Sequence, residues 1–295
     1  MNKMIVIMGT NASGKSGLGV ALAERFGGEI VSADSRQVFR GLDLGSGKIT
    51  PREARGVPHH LIDVCEPGEF FSMHDFQRLA YAAIDDILER GKLPFLVGGT
   101  GLYVASVTEG YVMSDRPPDL EYRAYLETFE TPRLYEMLKQ ALPDTDVEPK
   151  NRNRVMRLLE KLRAGDDHVP RSQPRYECLK LGVTWDRDTL RARIDERLER
   201  RLDQGMIEEV QGLIDAGVSI EFLTKLGLEY RFIAQYLTGV IPDRDDMLEQ
   251  LGNAIKKFAK RQMTWFRRDK DILWLDMTGD PVAQACQAID AFLGA

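Results

Sequence analysis

Cysteine is scarce and scattered. Cys65, Cys178 and Cys286 form an odd set with no C-x-x-C pair. That excludes a disulfide framework, argues against a zinc site and fits a reducing compartment. Long apolar runs are missing, so no segment has the length of a membrane span. The first apolar run, Met4 to Met8, is too short for a signal peptide. An excess of positive charge is also missing. The formal net charge is −6, so no overall basic field points to nucleic acid, although a local patch remains open. No internal repeat or low-complexity tract occurs. The expectation is a cytoplasmic globular protein whose 295 residues form one large or two modest domains.

The run Gly9-Thr10-Asn11-Ala12-Ser13-Gly14-Lys15-Ser16 is a complete G-x-x-x-x-G-K-[ST] phosphate loop. The apolar run Met4 to Met8 before it reads as a buried parallel strand. After it, Leu18, Ala21, Leu22 and Phe26 recur at helical spacing. Glycines let the backbone wrap a phosphate, and the N–H groups at the helix start face it. Lys15 adds a point charge, and Ser16 offers its hydroxyl to a magnesium ion. The loop predicts a polyphosphate ligand without saying which.

Strand-like runs alternate with helical stretches as far as about residue 112. They are Glu29 to Ala33, Leu61 to Val64 and Leu93 to Val97, with a helix from Ser72 to Arg90 capped by Ser72 or Asp75. This alternation predicts a parallel sheet with helices on both faces. The texture changes around Ser114 to Pro118. From Leu120 to about Gly165 the pattern is helical, broken at Pro132 and Pro143, and Gly165 to Pro174 reads as a linker. A strand then resumes at Cys178 to Trp185. Helices follow at Arg187–Gly205, Met206–Ala216, Phe222–Leu237 and Met247–Arg268, then a strand at Ile272–Leu275 and a helical tail. The expected architecture is an α/β core of the P-loop NTPase type, residues 1–114 and 175–295, interrupted by a small all-helical insertion domain, 115–174.

Ligands of such sheets sit beyond the carboxyl ends of the strands. There Asp34 follows the second strand, where it could hold magnesium, bind a ribose, act as a general base or simply cap a helix. The fourth run ends in Gly98-Gly99-Thr100-Gly101 rather than in a carboxylate, which lowers an ATPase reading and presents the Thr100 hydroxyl. Two segments are strongly basic. Lys150 to Arg163 has six basic residues against Glu160, and Lys256 to Lys270 has seven against Asp269. Either is a phosphate-backbone stripe or a solvated face. Arg187 to Arg201 is Arg-rich but interleaved with acids, so a surface salt-bridge helix is expected. His59 and His60 read as packed or hydrogen-bonded histidines rather than a metal pair. Trp185, Trp265 and Trp274 read as core or interface aromatics.

Together these pieces resemble the tRNA dimethylallyltransferases, also called tRNA isopentenyl transferases, nearly end to end. The resemblance rests on Gly9 to Ser16, Ser32 to Phe39, Gly41 to Lys48, Val57 to Asp63, Phe71 to Phe76, Val97 to Tyr103 and Lys260 to Arg267. It implies transfer of a dimethylallyl group from dimethylallyl diphosphate to N6 of the adenosine 3′ of the anticodon, with release of diphosphate. Asp34 would be the base and Thr100 would fix the geometry. Gly9, Thr10, Asn11, Ala12, Ser13, Gly14, Lys15, Ser16 and Arg231 would hold the diphosphate, with Mg2+ at Ser16. The tRNA anticodon loop would meet Asp34, Ser35, Arg36, Gln37 and Thr100. On the insertion it would meet Arg123, Asn153, Arg154, Val155, Met156 and Arg157. A monomer free of the membrane is expected.

The chain departs from the family pattern at several points. Thr10 stands where the family usually has Pro, and Lys150-Asn151 where it has Asn-Asp. Gly227-Leu228-Glu229-Tyr230-Arg231 replaces a Gly-Tyr-Arg block, the insertion is short, and the zinc finger of some eukaryotic relatives is absent. The alternatives are an isopentenyl transferase acting on free adenine nucleotides, a small-molecule kinase with the same loop, and a non-catalytic RNA-binding module.

Overall fold

The computed structural model describes residues 2–113, 119–165 and 171–294. The chain divides into two compact units, Met1–Gly110 with Pro174–Ala295, and Tyr111–Gln173. The expected boundary after residue 114 and half of the expected linker, 166–170, lie outside the described residues.

The first unit is a parallel sheet with helices on both faces. Its elements begin with β1 (Asn2–Met8), α1 (Lys15–Arg25), β2 (Glu29–Ala33), α2 (Pro51–Ala54), β3 (His59–His60), α3 (Met73–Glu89), β4 (Pro94–Gly98) and α4 (Gly101–Thr108). The second unit contributes α5 (Leu120–Glu127), α6 (Thr131–Ala141) and α7 (Arg152–Ala164). The first unit then resumes with β5 (Tyr176–Thr184), α8 (Arg187–Asp203), α9 (Met206–Asp215), α10 (Ile220–Leu226), α11 (Leu228–Leu237), α12 (Arg244–Phe266), β6 (Leu273–Asp276) and α13 (Pro281–Leu293). The strand order is β3-β2-β4-β1-β5-β6, and every pairing is parallel. A strand buried on both faces needs a near-continuous apolar run. Met4 to Met8 supplies it at the centre, with Ile5 and Ile7 packed on one face and Met4 and Val6 on the other. Ser72 and Asp75 cap α3 reciprocally, as a capping box.

Two expected elements differ. Leu61–Val64 is not a strand. Its neighbours His59–His60 pair with Ile30 and Val31 instead, and Leu61 and Asp63 adopt positive φ. The amides of Asp63 and Val64 bond Gln37 O and Val38 O, so this segment is tied to the loop after β2 rather than to the sheet. The helix expected over Phe222–Leu237 is two helices, broken at Gly227, where φ is 75°. The helical stretch is interrupted at 128–130, and Pro132 lies in the first turn of α6, where a helical position needs no N–H. His59 and His60 are hydrogen-bonded, as expected. His60 Nε2 lies 2.7 Å from the buried Glu29, and His59 Nδ1 lies 2.8 Å from Val57 O.

The second unit has its own small core, with Leu126, Leu134, Leu138, Val155 and Leu159 buried together. Arg123 Nε donates to the buried Glu160 at 2.6 Å, and Arg157 reaches the same carboxylate at 3.3 Å. Tyr111 bridges Ser172 antiparallel, bringing the unit's two ends side by side.

Candidate active site

The phosphate loop leaves the end of β1 and enters α1. No side chain caps α1, so its first amides remain free for a ligand. The loop is braced from outside. Trp185 Nε1 donates to Ser13 O at 2.9 Å, and Arg193 Nε donates to Ala12 O at 3.0 Å with its guanidinium over the Trp185 ring. Gln262 of α12 accepts from the Asn11 amide at 3.0 Å and donates to Gly99 O at 2.9 Å. One side chain thus ties the loop after β1 to the loop after β4.

The loop after β4 is laced in turn to the loop after β2. The Thr100 amide donates to Ala33 O, the Ser35 amide donates to Thr100 Oγ1 at 3.1 Å, and that hydroxyl donates to Ser35 Oγ at 3.4 Å. Asp34 accepts from the Arg36 amide and lines the same cleft as Lys15. Parallel pairing of β2 with β4 sets Ala33 beside Gly98, so Asp34 and Thr100 follow strands that end side by side.

A cleft of about 560 Å³ opens over the loop, lined by Asn11 to Gly17, Asp34, Gln37, Ser46 to Thr50 and a row of α8 arginines. Here the structure corrects the sequence reading. The expected surface salt-bridge helix turns Arg193, Arg197 and Arg201 toward the cleft. They lie four residues apart, hence on one helix face. Both guanidinium groups of Arg197 and Arg201 crowd Gly47, where a Cβ would lie 2.0 and 1.5 Å from them. Arg201 is held at 3.5 Å by the buried Glu229, which also pairs with Arg36 at 2.6 Å. Burial, with Arg197 close by, pushes Lys15 down to about 8. Burial and the adjacent Arg201 also lower Arg197. Among the described residues two buried side-chain polar atoms lack a protein partner, Ser13 Oγ and Arg201 Nη2, and both belong to residues of this cleft. Buried donors without partners mark a place where a ligand or water completes the bonding.

Other expected site residues are placed differently. Arg36 is buried in its pair with Glu229 rather than presented at the surface. Gln37 is held by Ser32 Oγ and Gly47 O at the cleft wall. Arg231 does not line the cleft. Its guanidinium lies over Phe232, while Glu229 on the same helix reaches inward. Val155 and Met156 are packed into the core of the second unit, whereas Asn153 and Arg154 are exposed. Among the described residues no group of three or more His, Cys, Asp or Glu side chains could hold a metal.

The family model for IPP transferase matches residues 37–269. The tRNA dimethylallyltransferase 1 of Geotalea daltonii is 46% identical over 290 residues, covering 96% of this chain and 93% of the relative. The tRNA dimethylallyltransferase 2 of Syntrophotalea carbinolica is also 46% identical, covering 95% and 96%. The crystal structure of the tRNA isopentenylpyrophosphate transferase of Bacillus halodurans superposes with a TM-score of 0.77 at 36% identity, covering 99% and 96% of the two chains. A eukaryotic dimethylallyltransferase acting on tRNA superposes with a TM-score of 0.84 at 26% identity, covering 100% and 80%. None of these supports a kinase or a free-nucleotide enzyme. The chain belongs to the IPP transferase family.

Proposed function

We propose that the protein transfers a dimethylallyl group from dimethylallyl diphosphate to N6 of the adenosine 3′-adjacent to the anticodon in tRNA. The observation that carries this reading is one cleft. It joins a phosphate loop overhung by arginines to the carboxylate of Asp34, and the next residue, Ser35, holds the Thr100 hydroxyl through its amide. The α1 amides, Lys15, Arg197 and Arg201 would hold the diphosphate. Their crowded positive charge is costly in the free protein and is relieved by a polyanion. The C1–O bond of the donor breaks, and the electron pair leaves with the diphosphate. The N6–C1 bond forms, and Asp34 takes the N6 proton. Thr100, fixed through Ser35, orients the acceptor amine. Ser16, which lines the cleft beside Lys15, would offer its hydroxyl to a magnesium ion. Such an ion would add neutralising charge at the leaving diphosphate. Arg154 and Arg157 of the second unit would contact the tRNA, while Val155 and Met156 would support them from the core. A cytoplasmic setting goes with this reading.

The test is incubation with radiolabelled dimethylallyl diphosphate and magnesium, offering tRNA and AMP separately. Label in tRNA alone is the expected result. Label in AMP overturns the acceptor, and label in neither overturns the transfer.

A further inference from the structure

Glu229 of α11 stands behind the phosphate loop and does not line the cleft. It is buried, and its two carboxylate oxygens serve two arginines. Oε2 accepts from Arg36 Nη1 at 2.6 Å, and Oε1 lies 3.5 Å from Arg201 Nη1. Arg201 is thus held along one edge. Its other terminal nitrogen, Nη2, sits beside Gly47 at the cleft wall and has no protein partner among the described residues. Arg36 is held in turn, and its amide donates to Asp34 Oδ1 at 3.0 Å. A cavity of about 20 Å³, room for a single water, lies among Glu229, both arginines and Asn11-Ala12 of the phosphate loop. One carboxylate therefore connects an arginine of the cleft to the backbone that holds Asp34.

Stability alone does not account for this group. Apolar residues of similar volume often replace a buried Arg–Glu–Arg triad at no loss of stability. The residues on either side of Glu229 fix it in place. Leu228, just before it, takes φ of 43°, a left-handed conformation that a branched side chain keeps only where its surroundings hold it. Tyr230, just after it, donates to Glu209 at 3.0 Å and accepts from the Ser46 amide at 3.0 Å. Its ring packs so closely on Gly45 that a Cβ there would lie 2.6 Å away. The start of α11 is thereby pinned to the segment that walls the cleft. We propose that Glu229 is a positioning residue for the transfer. It holds Arg201 so that Nη2 faces the leaving diphosphate, and it holds Arg36 so that Asp34 keeps its aim at the acceptor amine. The inference rests on the transferase reading above and deepens it. The charge of Glu229 also tempers the cluster, since with Asp34 it opposes Lys15, Arg36, Arg197 and Arg201. Removing that charge strengthens the pull on a polyanion while loosening the geometry needed for reaction. Binding and rate then move in opposite directions, whereas a disturbed fold lowers both.

The test is Glu229→Gln, which keeps the shape and removes the charge. Single-turnover transfer is measured with saturating dimethylallyl diphosphate and tRNA, and pyrophosphate affinity by calorimetry. The expected result is a rate about 10- to 100-fold lower, with pyrophosphate bound no more weakly and up to about tenfold more tightly. Arg201→Ala and the double variant complete a cycle, in which the two effects on pyrophosphate affinity should depart from additivity by at least about threefold. An unchanged rate overturns the proposal. So does a parallel loss of rate and pyrophosphate affinity, which would mean a merely structural role. Additive effects in the cycle overturn it as well, because Glu229 would then not act through Arg201. If Glu229→Gln does not fold, Glu229→Asp takes its place in both measurements. It keeps the charge on a shorter stem, so the rate should fall about tenfold or more with pyrophosphate affinity within about threefold. If the unaltered protein transfers no label but the cycle is non-additive, the hold of Glu229 on Arg201 stands and the transferase reading falls.

Discussion

At the residue scale, the tasks proposed for Asp34 and Lys15 are separable. Asp34→Asn keeps the size of the side chain and its acceptor oxygen for the Arg36 amide but removes the base. Transfer should fall about 10²- to 10⁴-fold in kcat, with tRNA affinity nearly unchanged, as single-turnover kinetics and binding titrations would show. Unaltered turnover would remove Asp34 from proton transfer. Lys15 is pushed by burial from its ordinary range down to about 8. It is charged below that pH in the free protein and largely neutral above it. Pyrophosphate affinity should therefore be level below pH 8 and weaken as pH rises past it, because binding must then take up a proton. The same shift makes Lys15 favour folding more as pH rises from about 8 toward its unfolded value, since the unfolded chain binds the extra proton. A pyrophosphate affinity level from pH 7 to 9.5 would contradict this.

At the element scale, α8 shows what charge counting conceals. Asp188, Asp195, Glu196 and Glu199 share the helix with its arginines, so the segment looks balanced. The i, i+4, i+8 spacing of Arg193, Arg197 and Arg201 was the readable signal, because it gathers three cations on one face. A charge-assisted hydrogen bond to an anion contributes about 1.5–3 kcal/mol. Arg197→Ala should thus weaken pyrophosphate binding about 10- to 100-fold by calorimetry, whereas Arg191→Ala, exposed on another face, should leave it unaltered. Equal effects from the two would mean that only the helix's overall field matters. The broken helix at Gly227 has the same lesson. Its halves looked continuous in hydrophobic period, and the turn between them delivers Glu229 to the arginines.

At the scale of the whole molecule, the chain divides into two compact units, and the arginines of the second differ in their surroundings. Arg154 is exposed, while Arg123 is engaged with a buried carboxylate. Arg154→Ala should lower tRNA affinity and reduce the salt slope by about one without altering stability. Arg123→Ala should instead destabilise residues 111–173 by roughly 1–3 kcal/mol, read by hydrogen exchange, because Glu160 is left buried with a weaker partner. If both variants shift only RNA binding, Arg123 acts at the RNA.

The amino-acid sequence by itself determined what depends on neighbours along the chain. That includes the phosphate loop with its strand and helix, the parallel α/β alternation and the helical insertion. The positions of Asp34 and Thr100 at strand ends follow as well, since strand termini are local signals. Only the tertiary structure decided which charges turn inward. Glu229 meets Arg36 across 193 residues and Gln262 meets Asn11 across 251. No periodicity encodes such pairings. They are settled when packing strips water from these groups and leaves each to find the partner that satisfies it.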